Sequence, residues 1–223
     1  DYKTDTKSVL DQAVRILQAM IDVAADQGYL VAVRNIITLL QMIIQGCWFD
    51  ASPICVLPGL DEKSAKLLAG HKFTTVDQVT SKYSKVEKLL QGKLSSGKLK
   101  KFSNEIASIP RVSLRLNGLK KTAQPGELVK VSVSLKRLSK DRKNVYSPRF
   151  PKRVTENWFL LLADDEVNEV LSVKRVPLRR NNSSYVEFIT PDDPGQYNFT
   201  VYFMSGSYFS VEVKQTFTIT VNE

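Results

Sequence analysis

The sequence SVLDQAVRILQAMIDVAA, residues 8–25, is apolar around most of the circumference of an α-helix. Its polar side chains recur at intervals of three and four, so a helix gathers them on one narrow stripe: Asp11, Gln12, Arg15, Gln18 and Asp22. Residues 30–48 repeat the arrangement, with polar side chains at Arg34, Asn35, Thr38, Gln41 and Gln45. Helices of this kind belong inside a larger bundle. Because the sequence starts at Asp1 without a Met or earlier helices, we expect a fragment of a longer protein.

Turn and cap residues predict how the two helices are connected. Thr4 or Asp5 is a suitable N-cap for the first helix. Gly28 is expected to end it, and so short a connection makes the two helices antiparallel neighbours. Trp48 and Phe49 are expected to close the second helix, and residues 50–53, Asp-Ala-Ser-Pro, to break it.

Composition limits the class of protein. The chain of 223 residues is 43% hydrophobic and carries a net charge of +9, which permits a polyanionic partner without requiring one. Residues 1–57 hold 4 basic and 6 acidic groups, so the positive charge lies downstream of the helical pair. Two cysteines, Cys47 and Cys55, cannot supply a disulfide framework, which favours a reducing compartment. The sequence shows no signal peptide, and polar residues interrupt the apolar run 31–48, which argues against a membrane span.

Residues 58–110 predict a small helical domain. Asp61 is a suitable cap for a first short helix, a glycine-containing turn follows, and Thr74 or Thr75 can cap a second. A further helix is expected from Lys98 to Ile106. The pattern resembles the helix-hairpin-helix-like units of nucleic-acid enzymes, in which backbone N–H groups at a helix start hold a phosphate. A purely structural helical domain explains the pattern equally well.

Residues 111–223 predict a β-sandwich. Strand 127–135 alternates apolar and polar side chains, residues 158–162 form a continuous apolar run, and four further strands are expected at 171–173, 185–189, 197–203 and 217–221. About seven strands in this length indicate an immunoglobulin-like or fibronectin-like fold. The predicted fold class is therefore α+β multidomain: a partial helical bundle (1–57), a helix-hairpin-helix-like helical domain (58–110) and an immunoglobulin-like β-sandwich (111–223).

No motif in the sequence predicts catalysis. One histidine, His71, and two cysteines do not make a zinc site, and no pair of carboxylates has a context for acid/base chemistry. Residues 92–98 match the spacing of a phosphate-binding loop, but Leu99 stands where Ser or Thr must ligate Mg²⁺, and residues 86–90 look helical where a strand is required. We therefore interpret the match as coincidence and expect no catalytic and no metal-binding residue.

Two basic segments lie in the predicted sandwich. Residues 140–153 combine many Lys and Arg side chains with Tyr146 and Phe150, and Arg179–Arg180 form a second cluster. Such groups can neutralise phosphates and stack on bases. A solvated loop that protects the sheet edges, or that contacts proteins, explains residues 140–153 slightly better.

The order of these three regions resembles the Sec63 homology module that follows the motor domains of large Ski-type RNA helicases. Within that family, residues 147–152 are more similar to the helicase subunit of the activating signal cointegrator complex than to the spliceosomal helicase. The residues that carry the resemblance lie along nearly the whole chain: 9–13, Arg15, Ile16, 18–24, 40–43, Gln45, Gly46, Trp48, Leu57, Pro58, 148–152, Trp158, Phe159, Lys174, Arg175, Pro194, Gly195 and 202–205.

The resemblance implies that the first helix is a ratchet helix lying across the strand that leaves the motor. Arg15 would contact a phosphate or base, and Gln12 and Gln18 would hydrogen-bond bases or sugars. Asp11 and Asp22 would repel phosphate, so we expect them to point aside or to pair with nearby cations. Lys63, Lys66 and Lys72 of the hairpin unit would add cationic contacts. The alternative without a binding role is that the stripe is the solvent-facing side of the bundle.

The implied function is a non-catalytic module that guides single-stranded RNA or DNA past a helicase motor. Its partners would be the motor domains of the same chain and other protein subunits, with no membrane, and the sandwich would brace the module and dock proteins. ATP and Mg²⁺ would act in the parent motor domains, not in this fragment, and the compartment would be nuclear, cytoplasmic or both. Two alternatives stay open: a protein-interaction platform without nucleic-acid contact, and the homologous module of a translocon subunit of the endoplasmic reticulum.

Overall fold

The computed structural model describes residues 2–48, 54, 57, 60–107, 109–141 and 144–223, with the backbone alone for Tyr2 and Lys3. Within these residues, six helices precede eight strands that form two sheets. The predicted α+β class is therefore confirmed. The predicted breaker at 50–53, together with Cys55, Pro58 and Gly59, lies outside the described residues.

Two long antiparallel helices open the chain, α1 (Tyr2–Asp26) and α2 (Leu30–Gln45). Gly28, at φ 74°, turns the chain between them as predicted. The predicted N-cap at Thr4 or Asp5 is wrong, because both residues lie inside α1. The predicted end of the second helix at Trp48 is also wrong. Gly46 adopts the left-handed conformation that a residue with a side chain disfavours, and its N–H bonds to the Met42 carbonyl, so α2 stops at Gln45.

Four short helices follow: α3 (Glu62–Gly70), α4 (Val76–Ser81), α5 (Tyr83–Leu90) and α6 (Ser96–Ile106). Asp61 caps α3 as predicted, accepting a 2.8 Å hydrogen bond from the Ser64 N–H, and this bond lowers the pKa of Asp61. Thr75 caps α4, because its hydroxyl accepts a hydrogen bond from the Gln78 N–H and the Gln78 side chain accepts one from the Thr75 N–H. Of the two predicted caps, Thr74 and Thr75, the structure therefore has Thr75. The starts of α3 and α4 are thus set by local side-chain caps.

The resemblance of residues 92–98 to a phosphate-binding loop is a coincidence of spacing. Helix α5 precedes this segment where a buried strand would be needed, and Gly97 lies within α6. The segment therefore has neither the strand nor the glycine-rich loop that cradles a nucleotide.

The strands run from Val112 to Val221 and are called the β region. They are β1 (Val112–Asn117), β2 (Thr122–Ala123), β3 (Leu128–Arg137), β4 (Trp158–Asp164), β5 (Glu169–Arg175), β6 (Asn181–Ile189), β7 (Gly195–Ser205) and β8 (Glu212–Val221). One sheet has the order β1-β3-β6 and the other β2-β8-β7-β4-β5. All neighbours are antiparallel except β2 and β8.

The burial of the strands follows the hydrophobic pattern of the sequence. In β3 every second side chain is buried, beginning with Val129 and Val131, so the predicted alternation is confirmed. Residues Trp158 to Ala163 of β4 are all buried, because β5 and β7 flank this strand within its sheet and both of its faces are covered. Trp158 stacks on Phe203 of β7 at 4.8 Å between ring centroids.

Side chains of the polar stripe of α2 form hydrogen bonds and a cation–π contact with the β region. The buried Gln41 side chain donates a 2.6 Å hydrogen bond to the Ser205 carbonyl, and Gln45 donates to the Ser207 carbonyl at 2.7 Å. Further towards the start of the helix, the Arg34 guanidinium lies over the Tyr202 ring at 5.1 Å. Gln41 and Gln45 therefore form an internal contact with the β region, while Asn35 of the same stripe is exposed.

The basic segment 140–153 contacts both helices at a few positions, although most of its described residues are exposed, as predicted for a solvated loop. Phe150 is buried, Arg149 donates a 3.0 Å hydrogen bond to the Gly46 carbonyl, and Lys152 forms an ion pair with Asp11. Just outside the two ends of the segment, the buried Arg137 side chain pairs with Glu156. The segment connects the helical pair to the sheets.

Candidate nucleic-acid interface

The polar stripe of α1 also faces the β region, but its contacts are made by charged groups. Asp11 pairs with Lys152. Near the other end, Arg175 donates 2.9 Å hydrogen bonds to the Gln18 carbonyl and to the Asp22 carboxylate. Both acidic residues of the stripe are thus neutralised by cations, as the sequence analysis expected for a helix that approaches phosphate.

Arg15 lies between these two contacts and is exposed. Across the residues whose side chains are described, its guanidinium has no ion-pair or hydrogen-bond partner. A groove of about 290 Å³ opens beside it, between α1 and residues 150–157. Arg15, Gln18, Lys152 and Arg153 line the groove, and Arg153 is likewise exposed and unpaired among those residues.

The groove also presents uncharged polar groups. Thr155 and Asn157 are part of the lining, although the amide nitrogen of Asn157 is buried and lies beside Gly206. Because its cations outnumber its single carboxylate, Asp11, the groove attracts an anion.

Gln12 does not belong to this groove. It is exposed and lies outside the lining, whereas Arg15 and Gln18 belong to the groove. The structure therefore brings together two of the three residues that the sequence assigned to nucleic-acid contact on α1. It adds Lys152 and Arg153, which the sequence marked only as part of a basic segment.

The opposite side of α1 is apolar and exposed. Val9, Ile16 and Val23 are 66%, 57% and 65% exposed, and Met20 is 46% exposed. Beside them lies an apolar groove of about 450 Å³ between the two helices, whose lining includes Met20, Tyr29 and Ile36. The described part of the chain therefore leaves this side of α1 uncovered.

The three predicted lysines of the helical domain do not form one cluster. Lys63 and Lys66 are exposed on α3, where Lys66 pairs with Glu62 at 2.7 Å. The ion pair with Glu62 raises the pKa of Lys66 and balances its charge within α3. Lys72 instead lies at a separate cleft with Lys82, Lys85 and Lys88. The sequence analysis missed these three, although they recur every three residues from Lys82, the N-cap of α5, into that helix.

No catalytic or metal-binding arrangement is found in the part of the chain that the structure describes. There, no three His, Cys, Asp or Glu side chains lie close enough to hold a metal ion. His71 borders the cleft that contains Lys72, while Cys47 is partly buried beside α2 and not paired in a disulfide. Among the same residues, no helix is both long and apolar enough to cross a membrane.

Comparison with known protein families identifies the chain. Residues 1–218 match the sequence profile of the Sec63 Brl domain. The chain belongs to the Sec63 Brl domain family. A match of this length includes both long helices, the short helices and nearly all of the strands.

Relatives of this Sec63 domain are large proteins. Activating signal cointegrator 1 complex subunit 3 of Homo sapiens is 30% identical over 95% of this chain, and the match spans 12% of that protein. DExH-box ATP-dependent RNA helicase DExH12 of Arabidopsis thaliana is 31% identical over 97% of the chain and 10% of its own length. The U5 small nuclear ribonucleoprotein 200 kDa helicase of Drosophila melanogaster is 29% identical over 100% of the chain and 10% of its own length. The chain thus spans about a tenth of its relatives.

Solved structures give weaker likenesses. A beta-glucosidase from Listeria innocua aligns with 51% of this chain and 16% of its own chain at a TM-score of 0.32 and 15% identity. A TM-score this low supports no inference about the Sec63 domain.

Proposed function

We propose that this Sec63 domain is a non-catalytic accessory module of an ATP-dependent RNA helicase and guides single-stranded nucleic acid past the motor. The family and the names of the relatives support a helicase parent. In such a parent, ATP and Mg²⁺ act in the motor domains, and the compartment is the nucleus, the cytoplasm or both. The helical domain acts as a helix-hairpin-helix-like unit, and the two-sheet β region as an immunoglobulin-like sandwich.

The observation that carries the proposal is the unpaired Arg15 beside the groove. Phosphate contacts give a grip that does not depend on sequence, as a translocating strand requires. Arg15 and Arg153 provide guanidinium groups without a partner among the described side chains, and Gln18 can hydrogen-bond a sugar or base. Because Asp11 and Asp22 are neutralised by Lys152 and Arg175, the stripe does not repel a polyanion.

A specific observation favours a second role in protein docking. The exposed apolar side chains of α1 lie on the side opposite the groove and are large for a surface in contact with water. The motor domains of the parent chain or other subunits would cover them. In the competing platform hypothesis, this surface is the whole function and nucleic acid never touches the domain.

Removal of the two guanidinium groups tests the guiding role. The Arg15→Ala/Arg153→Ala variant of the 223-residue chain is expected to bind an oligouridylate of about 12 nucleotides at least about five-fold more weakly. The salt slope of log K is expected to fall by about 0.7 for each phosphate that the variant no longer neutralises. The measurement is fluorescence anisotropy between about 50 and 200 mM KCl, a range over which phosphate contacts change affinity strongly, roughly ten-fold or more.

The matched control, Lys7→Ala/Arg180→Ala, removes the same charge from exposed positions outside the groove. Equal weakening in both variants would reduce the effect to net charge and contradict the proposal. Photo-crosslinking of the RNA supplies a second measurement. Crosslinks within residues 11–22 and 150–157 support guiding, whereas their absence while protein partners still bind supports the platform hypothesis.

A further inference from the structure

Another concave surface lies in the helical domain, between the end of α3 and the side of α5. It encloses about 560 Å³ and is bordered by the four lysines Lys72, Lys82, Lys85 and Lys88, which are called the four-lysine cleft. Its apolar floor includes the buried Phe73 and the half-buried Leu89. All four lysines are exposed at its rim, so their ammonium groups are available to a ligand.

These lysines are not neutralised by the protein. None of the four has a carboxylate within ion-pair distance among the described side chains, whereas Lys66, Lys120, Lys152 and Lys174 each have one. Glu87, the one acid on α5, is engaged elsewhere and accepts a 2.9 Å hydrogen bond from the Tyr83 hydroxyl. Like charges gathered around one concavity repel each other, and a bound anion would relieve that repulsion.

The backbone conformation at Lys72 is one that a lysine adopts only at a cost in free energy. Lys72 has φ 65°, in the left-handed region where glycine is the least costly residue. Its N–H still bonds to the Ala69 carbonyl at 2.9 Å, so the chain reverses there in an ordered turn. A residue that is unfavourable for the turn thus places an ammonium group at the mouth of the cleft.

One amide of the cleft is held in a fixed orientation. The Gln78 side-chain oxygen accepts hydrogen bonds from the Thr74 and Thr75 N–H groups, at 2.8 and 3.2 Å. The amide nitrogen of Gln78 is therefore left to donate to a ligand. Phe73 of the lining is buried and offers a base no surface for stacking, whereas the ring of His71 at the rim is exposed.

We propose that the four-lysine cleft binds a ligand with closely spaced phosphates through its ammonium groups. Its source is either the backbone of single-stranded nucleic acid or a small polyphosphate, since both present this chemistry. The site is separate from the groove at Arg15 and contains no residue of it. The proposal therefore does not depend on the guiding role of α1.

The test compares two variants with the same loss of charge in the same helical domain. Lys82→Gln/Lys85→Gln/Lys88→Gln removes three cations of the cleft, and Lys93→Gln/Lys100→Gln/Lys101→Gln removes three exposed cations outside it. The probes are an oligouridylate of about 12 nucleotides, followed by anisotropy, and inorganic tripolyphosphate, followed by thermal shift. The cleft variant is expected to bind at least one probe about ten-fold or more weakly, and the control less than about three-fold.

The two probes identify the source. Loss of oligouridylate binding, with a salt slope lower by about 2, assigns the cleft to the nucleic-acid backbone. Loss of tripolyphosphate binding with unchanged oligouridylate binding assigns it to a small polyphosphate. Equal losses in the cleft variant and the control, or no loss in either, would overturn the proposal. The Arg15→Ala/Arg153→Ala variant keeps tripolyphosphate binding, so failure at the groove and failure at the cleft are distinguishable.

Lys72→Gly separates binding from folding. Glycine relieves the left-handed backbone, so the melting temperature is expected to stay the same or to rise. Affinity is nevertheless expected to fall by about three-fold, because one cationic contact is removed. Unchanged affinity with an unchanged melting temperature would contradict the assignment of Lys72 to the site.

Discussion

Helices α1 and α2 carry polar stripes with the same spacing, yet the two stripes do different things. On α2 the stripe is Arg34, Asn35, Thr38, Gln41 and Gln45, and its two glutamine amides are buried against carbonyls of the β region. On α1 the stripe is Asp11, Gln12, Arg15, Gln18 and Asp22, and its two carboxylates form ion pairs with Lys152 and Arg175 of the β region. Short uncharged donors bring surfaces close together, whereas exposed ion pairs leave a groove between them.

The difference shows why a polar stripe cannot be interpreted by its spacing alone. Uncharged amides can be buried once their hydrogen bonds are made. An unpaired guanidinium such as that of Arg15 has no such option, because burial of an unpaired charge is far too costly. The chemical type of the stripe residues therefore decides which helix is sealed and which stays open to a ligand.

The largest expected effect comes from removal of the amides of α2. Gln41→Leu/Gln45→Leu keeps the side-chain volume but leaves buried carbonyls without donors, and we expect a loss of about 2–5 kcal/mol in the free energy of unfolding. Urea denaturation measures it. The counterpart on α1, Asp11→Asn/Asp22→Asn, breaks exposed ion pairs and is expected to cost about 1 kcal/mol or less. Similar losses in the free energy of unfolding for the two variants would contradict the proposed difference between the two stripes.

The glycines that end the two helices give an intermediate effect. Both have positive φ, so Gly46→Ala and Gly28→Ala each strain the backbone. A Cβ at Gly46 would also lie 2.9 Å from the Arg149 Cβ, whereas at Gly28 its nearest contact is the flexible Glu169 side chain at 3.4 Å. We expect about 1 kcal/mol for Gly28→Ala and about 2–3 kcal/mol for Gly46→Ala. Thermal unfolding of the two variants checks the order, and a reversed order would contradict the close approach at Gly46.

The smallest expected effect concerns Tyr202, the ring beneath Arg34 of α2. Burial, followed by the hydrogen bond donated to Asp165, raises the pKa of Tyr202 to about 12. The unfolded chain releases this proton near pH 10. The stability contributed by the raised pKa is therefore present below about pH 10 and is lost as the pH rises towards 12, by about 1–2 kcal/mol.

Urea denaturation at about pH 9 and about pH 11.5 measures that loss. Tyr202→Phe should make the free energy of unfolding less dependent on pH than in the parent chain. Tyr29→Phe changes a 61% exposed ring at the turn between α1 and α2 and serves as control. An identical pH dependence in the parent chain and in Tyr202→Phe would contradict the raised pKa.

Sequence patterns predict those parts of the fold that are set by local chemistry. Capping by Asp61 and Thr75, the turn at Gly28 and the alternation of β3 all depend on neighbours within a few residues. The apolar excess of α1 is also predictable, because a 3.6-residue period assigns each side chain to a face. The end of α2 is also set locally, by the left-handed Gly46, and only the contact of Gly46 with Arg149, 103 positions away, lies beyond a sequence pattern.

The candidate sites can be predicted only in part. Arg15 and Gln18 are identifiable because they share a stripe with acids that need partners, but Lys152 and Arg153 reach the groove through tertiary packing of residues 150–157. The lysines of α5 could have been noticed from their spacing. Their meeting with Lys72 requires the left-handed turn after α3, which a lysine does not indicate.

The close approach at Gly46 makes glycine the preferred residue whatever stands opposite it. The atom nearest to a Cβ placed there is the Arg149 Cβ, at 2.9 Å, which every residue except glycine has. A shorter side chain at position 149 would therefore not relieve the contact, and it would lose the hydrogen bond to the Gly46 carbonyl. A designer who varies this Sec63 domain can treat residue 46 as fixed.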